Sequence, residues 1–299
     1  PRVVRNGLST QRPRRAMKAE QAPFDHRRVY RLGPLVRRVT APNPGMMTGP
    51  GTNTYLVGRA RIAVIDTGVD DSAHIQRVAQ AGDGRICWIL VTHTHPDHSR
   101  GALELQALTG APIYAHPAPL RGIRDEGFRA DAYLDEGDVI ESEDFRLRVL
   151  HTPGHAANHL CFLLEPEGLL FAGDQVMERV TVVINPPDGD MSAYLDSLER
   201  LQGEPIRCIA PGHGAVIEQP RAELERIIKH RLHREQQILD LLAIKARASI
   251  HELVEQIYAD VPPSLHAMAA RSVLAHLLKL RAESRVAHGD DGCWCIASR

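Results

Sequence analysis

The chain has 299 residues, 43% of them hydrophobic and 24% charged, with 36 Lys+Arg against 37 Asp+Glu. At roughly 150 residues per domain this is one large globular domain or two smaller ones, and the composition excludes collagen-like, low-complexity and coiled-coil chains. The formal net charge of −1 predicts no whole-molecule attraction to nucleic acid or to an anionic membrane.

The longest apolar stretches, such as Ile86 to Val91, fall far short of the roughly 18 residues of a membrane span, so a soluble protein with no membrane partner is expected. Five scattered cysteines predict reduced thiols in a reducing compartment. The 16 histidines outnumber the 5 Phe, 6 Tyr and 2 Trp together, and imidazole is the commonest metal ligand.

Residues 1–28 are expected to form a disordered leader, because Arg2, Arg5, Arg12, Arg14, Arg15 and Lys18 precede the first acid, Glu20, without hydrophobic periodicity. An Arg-rich, acid-free start also fits a transit peptide. The expected location is therefore cytoplasmic, or mitochondrial if the chain is eukaryotic and the leader is such a peptide; Met17 is an alternative start.

Residues 29–220 alternate short β-rich runs with helical patterns. Strands are predicted at Thr54–Val57, Ile62–Asp66, Cys87–Thr92, Ile113–Ala115, Phe145–Leu150, Leu160–Leu164, Leu169–Ala172, Val180–Ile184 and Cys208–Ala210. Helices are predicted at Asp71–Ala81, Ser99–Thr109 and Ser192–Gln202, the first two closed by Gly82 and Gly110. Such mixed runs imply sheets covered by helices, an α/β chain. Residues 221–247 carry an apolar stripe at helical spacing (Leu224, Ile227, Ile228, Leu232, Leu239, Leu242) and read as a connecting helix. In 248–299, Ser249-Ile-His-Glu252 is a capping box opening a helix to about Tyr258, and Ser264 is expected to cap another to Ala282. A Gly289-Asp-Asp-Gly292 turn then joins two short strands. Helix, helix, hairpin is the outline of a small winged-helix-like domain.

The chemistry sits where the run Ile86–Val91 ends in Thr92-His93-Thr94-His95-Pro96-Asp97-His98. In extended backbone His93 and His95 project to one side and can share an ion, while Asp97 and His98 lie past a proline and can face a second. Three later strand ends run into Gly-containing turns that each offer one more ligand: Thr152-Pro-Gly-His155, Ala172-Gly-Asp174 and Pro211-Gly-His213-Gly214. Glycine permits the close backbone approach such turns need.

These residues resemble the metallo-β-lactamase superfamily, an αββα sandwich of metal-dependent hydrolases, over about residues 29–220. The resemblance implies His93, His95 and His155 on one metal, Asp97, His98 and His213 on the other, and Asp174 bridging them. Asp66, in Val64-Ile-Asp-Thr-Gly68, matches a carboxylate that orients a ligand without binding metal itself. Two Zn²⁺ ions suit a set of imidazoles and carboxylates without cysteine, with iron or manganese as alternatives. The mechanism implied is hydrolysis by a metal-bridging hydroxide, with Asp97 as the catalytic residue that orients it and accepts its proton.

Within the superfamily, Pro50-Gly-Thr-Asn-Thr-Tyr-Leu-Val-Gly58, Leu147-Arg-Val-Leu-His-Thr-Pro-Gly-His155 and His230-Arg-Leu-His-Arg-Glu-Gln-Gln-Ile238 resemble the beta-lactamase-like protein 2 group. That resemblance implies endonuclease-like cleavage of a phosphodiester in single-stranded RNA. The alternative is a thioesterase resembling hydroxyacylglutathione hydrolase, acting on a small ester or thioester. A third reading, from another class, is a metal-sensing regulator that binds nucleic acid through its winged helix. Arg271 and Lys279, in an acid-free stretch from Val261 to Ala282, are the candidate phosphate contacts. Met46 and Met47, between Gly45 and Gly49, suit a substrate flap. A homo-oligomer is an open option.

Overall fold

Seven strands lie side by side in chain order in the first sheet: β1 (Tyr30–Arg31), β2 (Val36–Thr40), β3 (Asn53–Val57), β4 (Ile62–Ile65), β5 (Ile86–Leu90), β6 (Ile113–Ala115) and β7 (Ala132–Tyr133). The first four are antiparallel, and β4 to β7 are parallel. The second sheet has the order β12-β11-β10-β9-β8 and is built from β8 (Val139–Glu141), β9 (Arg146–His151), β10 (Leu160–Glu165), β11 (Leu169–Gly173) and β12 (Cys208–Pro211). This computed structural model describes residues 24–117, 122 and 124–298.

Alternation decides the layers. From β3 to β5, Tyr55, Val57, Ala63, Ile65 and Leu90 point inward against Phe162, Leu164, Phe171 and Ala210 of the second sheet. Their neighbours Leu56, Ile62, Val64 and Ile89 point outward to Ile75 and Val78 of α1 (Ser72–Gly82) and, past the short α2 (Pro96–Ser99), to Ala102 and Leu105 of α3 (Ala102–Thr109). On the far side, Leu150, Cys161, Leu163 and Leu170 pack on α4 (Met191–Gln202) and on Leu224 and Ile227 of α5 (Pro220–Lys245). Strands apolar on both faces are what a sheet buried between layers requires. The chain is thus an αββα sandwich.

The C-terminal elements are α6 (Ile250–Ile257), α7 (His266–Ala282), β13 (Val286–His288) and β14 (Trp294–Ile296), the last two a hairpin. They share an apolar core with the end of α5, through Ile238, Leu242, Leu253, Val273, Leu277 and Trp294. The capping box forms: Ser249 N–H donates to Glu252 at 2.8 Å, and Ser249 Oγ accepts from Glu252 N–H at 3.3 Å. The winged helix is therefore tied to the sandwich by a continuous 26-residue helix. Among the described residues no helix is long and apolar enough to cross a membrane.

Several local expectations are corrected. Val180–Ile184 is irregular, not a strand, because its carbonyls are claimed one by one: Val180 by Arg226, Val182 by Arg231 and Val183 by His155. The helix expected at Ser99–Thr109 is split at Gly101 into α2 and α3. Gly82 closes α1 as its last residue, and Asp83 takes the left-handed position after it. Ser264 caps nothing: Pro263–Leu265 is a 3₁₀ turn, and α7 starts at His266 without a side-chain cap. The strands β2, β7 and β8 lack a signal of their own. Residues 24–28, assigned to the leader, touch the sandwich: the His26 ring meets the Pro50 carbonyl at 2.8 Å, and Phe24 lies under the Arg38 guanidinium. Residues 1–23 of that leader lie outside the described residues.

Candidate metal centre

The end of β5 and the turn after it bring the first four candidates to one edge of the sandwich. His93 is buried, and its Nδ1 meets Thr92 Oγ1 at 3.0 Å, which turns Nε2 toward the centre. His95 has extended backbone at the entrance to α2, and Pro96 occupies the first helical position. One turn of helix then brings Asp97 and His98 round to the centre, the His98 ring lying 4.3 Å from that of His93.

The second sheet supplies the rest. His155 follows β9, with Nδ1 donating to the Val183 carbonyl at 3.0 Å and Nε2 lying 3.1 Å from His95 Nδ1. Asp174 follows β11, and its backbone N–H donates to His159 at 3.2 Å. His213 follows β12; its Nε2 stands 3.3 Å from both Asp97 Oδ2 and Asp174 Oδ1. His98 Nε2 is likewise 3.3 Å from Asp174 Oδ1, and His155 Nε2 is 3.6 Å from Asp174 Oδ2. Asp174 therefore stands between both halves, one oxygen toward each.

Two glycines make this approach possible. A Cβ on Gly212 would sit 2.7 Å from Asp174 Oδ1 and from His98 Cε1. Gly173, at φ +45°, would press a Cβ to 2.7 Å from His159 Nε2 and Thr92 Oγ1. Neither position has room for another residue.

Donor atoms come within 4.8 Å of one another in the groups His93/His95/His155, Asp97/His98/His213 and His93/His98/Asp174. His93 Nε2, His98 Nε2 and Asp174 Oδ1 are buried without a hydrogen-bond partner. Three orphaned polar atoms in one small volume are costly as they stand, and each has a lone pair that a cation would take. The donor set therefore fits divalent metal.

The electrostatics divide the site in the same way. Burial, and then the neighbouring rings of His98 and His95, hold His93 well below the usual imidazole range, and burial with His95 brings His155 to about 4. In the other half burial acts in the same direction, but the carboxylates outweigh it. Asp174 and Asp97 raise His213 to about 9, and Asp97 and Asp174 raise His98.

Asp66 does not reach the centre. It sits at φ +54° just after β4, where Oδ2 accepts from His98 Nδ1 at 2.7 Å and from Thr92 Oγ1 at 2.9 Å, and Oδ1 from Thr92 N–H at 2.8 Å. This fixes the tautomer that leaves His98 Nε2 as the donor to metal. Asp66→Asn is expected to weaken metal binding by about 10–100-fold, read by competition with a chromogenic chelator; unchanged affinity would mean the ring is held by packing alone.

The centre opens into a cavity of about 430 Å³ whose walls include Met47, Met177, Val182, Val183, Met268 and Arg271. Met46 and Met47 are exposed, 73% and 52%, between Gly45 and Gly49, whose backbones bridge; Met47 reaches the cavity. Replacing both by Ser is expected to raise KM severalfold with a melting temperature within about 2 °C of the parent, because little buried apolar area is lost. A large drop in melting temperature would make them core residues.

The two candidate cations of the tail separate. Arg271 lines the cavity. Lys279 does not face outward: its ammonium lies 2.8 Å from Glu235 and 2.6 Å from Glu283, with the side chain 11% exposed. A charge already paired with two carboxylates has little left for a phosphate, so Lys279 is withdrawn as a contact.

Other residues around the site brace the metal candidates, Thr52 and Asn53 of the Pro50–Gly58 segment among them. Thr52 Oγ1 is 3.4 Å from Asp97 Oδ2, and Asn53 holds the His213 turn through the carbonyls of Pro211 (3.1 Å) and Gly214 (3.0 Å). The buried Asp188 Oδ2 lies 3.8 Å from His95 Nε2. His159 braces Asp174, as described, and His116 stacks on His151.

Comparison with known proteins agrees with this geometry. Residues 47–213 match the family described as metallo-beta-lactamase superfamily, and residues 249–294 match the beta-lactamase associated winged helix domain. The chain is 34% identical to an atrochrysone carboxyl ACP thioesterase of Aspergillus chevalieri, over 87% of this chain and 85% of that one. It is also 34% identical to a beta-lactamase-like protein 2 homolog of Drosophila melanogaster, over 86% and 91%. Among solved structures, a metallo-beta-lactamase family protein from Thermus thermophilus superposes with a TM-score of 0.74 at 25% identity, over 89% of this chain and all of that one. A fold, a set of convergent donors and a family match that all meet on the same strand ends have one reading: the chain belongs to the metallo-beta-lactamase superfamily of metal-dependent hydrolases and carries that superfamily's associated winged helix domain.

Proposed function

We propose that this protein is a dinuclear zinc hydrolase of acyl esters or thioesters, with an acyl chain lying in the cavity between the metal centre and α7. His93, His95 and His155 would hold one ion, Asp97, His98 and His213 the other, and Asp174 would touch both. When bound, such ions supply an activated water and an electrophile for the developing oxyanion. The chain's own part is to position. His98 is oriented by Asp66, and His155 by the Val183 carbonyl. Asp97, next to the open cavity, is held as the carboxylate: burial alone would raise it, but His98 and His213 bring it to about 2. It is the residue suited to orient the attacking water and take its proton.

The observation that carries the acyl reading is the wall of the cavity. Met47, Met177, Val182, Val183 and Met268 offer apolar contact, and among the described residues that line the cavity Arg271 is the only Lys or Arg. An extended RNA strand would need a track of cations and stacking rings, and Lys279 is paired elsewhere. The name of the fungal relative, an ACP thioesterase, points the same way.

The test is a panel of single-stranded RNA, an acyl thioester, S-lactoylglutathione and a bis-phosphodiester presented to the zinc-loaded protein. Acyl thioester turnover is expected to exceed RNA cleavage by orders of magnitude, and the reverse ranking would replace this reading with the nuclease one. Arg271→Glu is expected to raise KM about tenfold for a thioester carrying a distal carboxylate, the worth of one charge-assisted hydrogen bond. A neutral ester should change little. Equal effects on both would mean that Arg271 shapes the wall and does not select charge.

A further inference from the structure

A second cavity, of about 250 Å³, is walled by Arg31, Arg37, Arg59 and Arg85 together with Gly33, Pro34 and Gly58, and among the described residues no acidic one lines it. Its place in the fold is distinct from the metal centre. Arg31 ends β1, Arg37 lies at the start of β2, Gly58 follows β3, and Arg85 immediately precedes β5. The metal candidates instead follow the other end of β5. The two cavities therefore lie at opposite ends of the first sheet.

Two of the arginines are held by backbone carbonyls. Arg37 donates to the carbonyls of Ala81 (2.6 Å) and Gly58 (3.2 Å), and Arg85 donates to the carbonyl of Arg59 (2.7 Å). Backbone carbonyls fix the Arg37 guanidinium without neutralising it. Among the described residues, the carboxylates within ion-pair distance of the four are Asp144, largely buried and 3.4 Å from Arg59, and Asp83, largely exposed and 3.0 Å from Arg85; the exposed pair contributes little. Arg31 has no ion pair or side-chain hydrogen bond among the described residues. Burial and then the nearby charges of Arg85 and Arg31 hold Arg37 below its usual range. Arg31 and Arg37, which have no carboxylate within ion-pair distance among the described residues, and the weakly paired Arg85 leave the cavity with a surplus of positive charge that an anion would share.

We propose that this cavity is a binding site for a diphosphate-class anion. Guanidinium forks match phosphate oxygens in bidentate geometry, and the volume admits a group of two phosphates. Free pyrophosphate and the diphosphate of a nucleotide share this chemistry, so both serve as probes.

The test is calorimetric titration of the metal-loaded protein with inorganic pyrophosphate and separately with ADP, on the parent and on Arg31→Ala and Arg31→Ala/Arg85→Ala. Phosphates also meet metal centres, so the diagnostic quantity is the class of sites that the substitutions remove. Arg31→Ala is expected to weaken that class about tenfold, and the double variant to abolish it, with ester turnover and melting temperature kept. Binding to both probes, or to one alone, supports the site and says whether the diphosphate is free or nucleoside-borne. Titrations identical in parent and variants, or no anion bound beyond the metal centre, would overturn it. The Arg31 variant is safe for the fold, since its side chain is exposed and unpaired.

Discussion

Asp174→Ala is expected to strip the protein of both metal ions and reduce hydrolysis by on the order of 10³-fold or more. The carboxylate has one oxygen 3.3 Å from His98 and His213 and the other 3.6 Å from His155, so its removal takes a donor from each half at once. Metal activation is worth several kcal/mol in this chemistry, and each 1.36 kcal/mol is tenfold in rate. The fold should survive. Asp174 faces His98 and His213 at 3.3 Å, so its loss costs some stability, but the apolar cores of the two sheets do not depend on it. Elemental analysis of reconstituted protein is the direct measurement. About two zinc ions per chain are expected for the parent and less than half an ion for the variant. A parent holding one ion, with no loss on Asp97→Ala, would reduce the centre to its histidine half.

Glu235→Ala is expected to destabilise the protein by about 3 kcal/mol at pH 7, the usual cost of leaving a buried charge without its partner. Glu235, on α5, is buried with Lys279 of α7 at 2.8 Å, Arg285 next to β13 at 2.9 Å and His276 at 3.8 Å. It therefore joins the connecting helix to both parts of the winged helix. Burial by itself would push this carboxyl up, yet His276 and Lys279 outweigh it and hold it down to about 2 against an ordinary 4.5. A carboxyl lowered on folding contributes stability in full above about pH 4.5 and loses it as pH falls through about 2. The gap between parent and variant should accordingly be widest at neutral pH and narrow below pH 4.5, as read by urea denaturation at pH 7 and pH 3. A loss under about 1 kcal/mol at pH 7, or a gap that does not narrow, would mean that the cluster is solvated. Because α7 also forms a wall of the metal-site cavity, this variant should raise KM as well. For the same reason Lys279→Glu is a poor probe of nucleic-acid binding: it would break this cluster before it tested any phosphate.

Features whose cause lies within a few residues were legible before any folding was considered. The histidine-rich turn after β5, the Gly-containing turns before His155, Asp174 and His213, the capping box at Ser249 and the Gly289–Gly292 hairpin turn are of this kind: a proline forces a turn, a glycine stands where no Cβ fits, a serine precedes a glutamate by three residues. Buried strands such as β4, β5 and β10 were legible because apolar runs have no other comfortable place. Elsewhere a partner far along the chain overrides the local pattern. Val180–Ile184 has strand-forming residues, but Arg231, 49 positions away, and His155, 28 positions away, take its carbonyls, so it becomes a cavity wall. The short strands β7 and β8 exist only because a neighbouring strand supplies hydrogen bonds. Arg271 and Lys279 look alike in sequence, eight residues apart on one helix; only the position of Glu235 on α5 withdraws one of them, and only the docking of α7 beside the metal centre brings the other to the wall of its cavity.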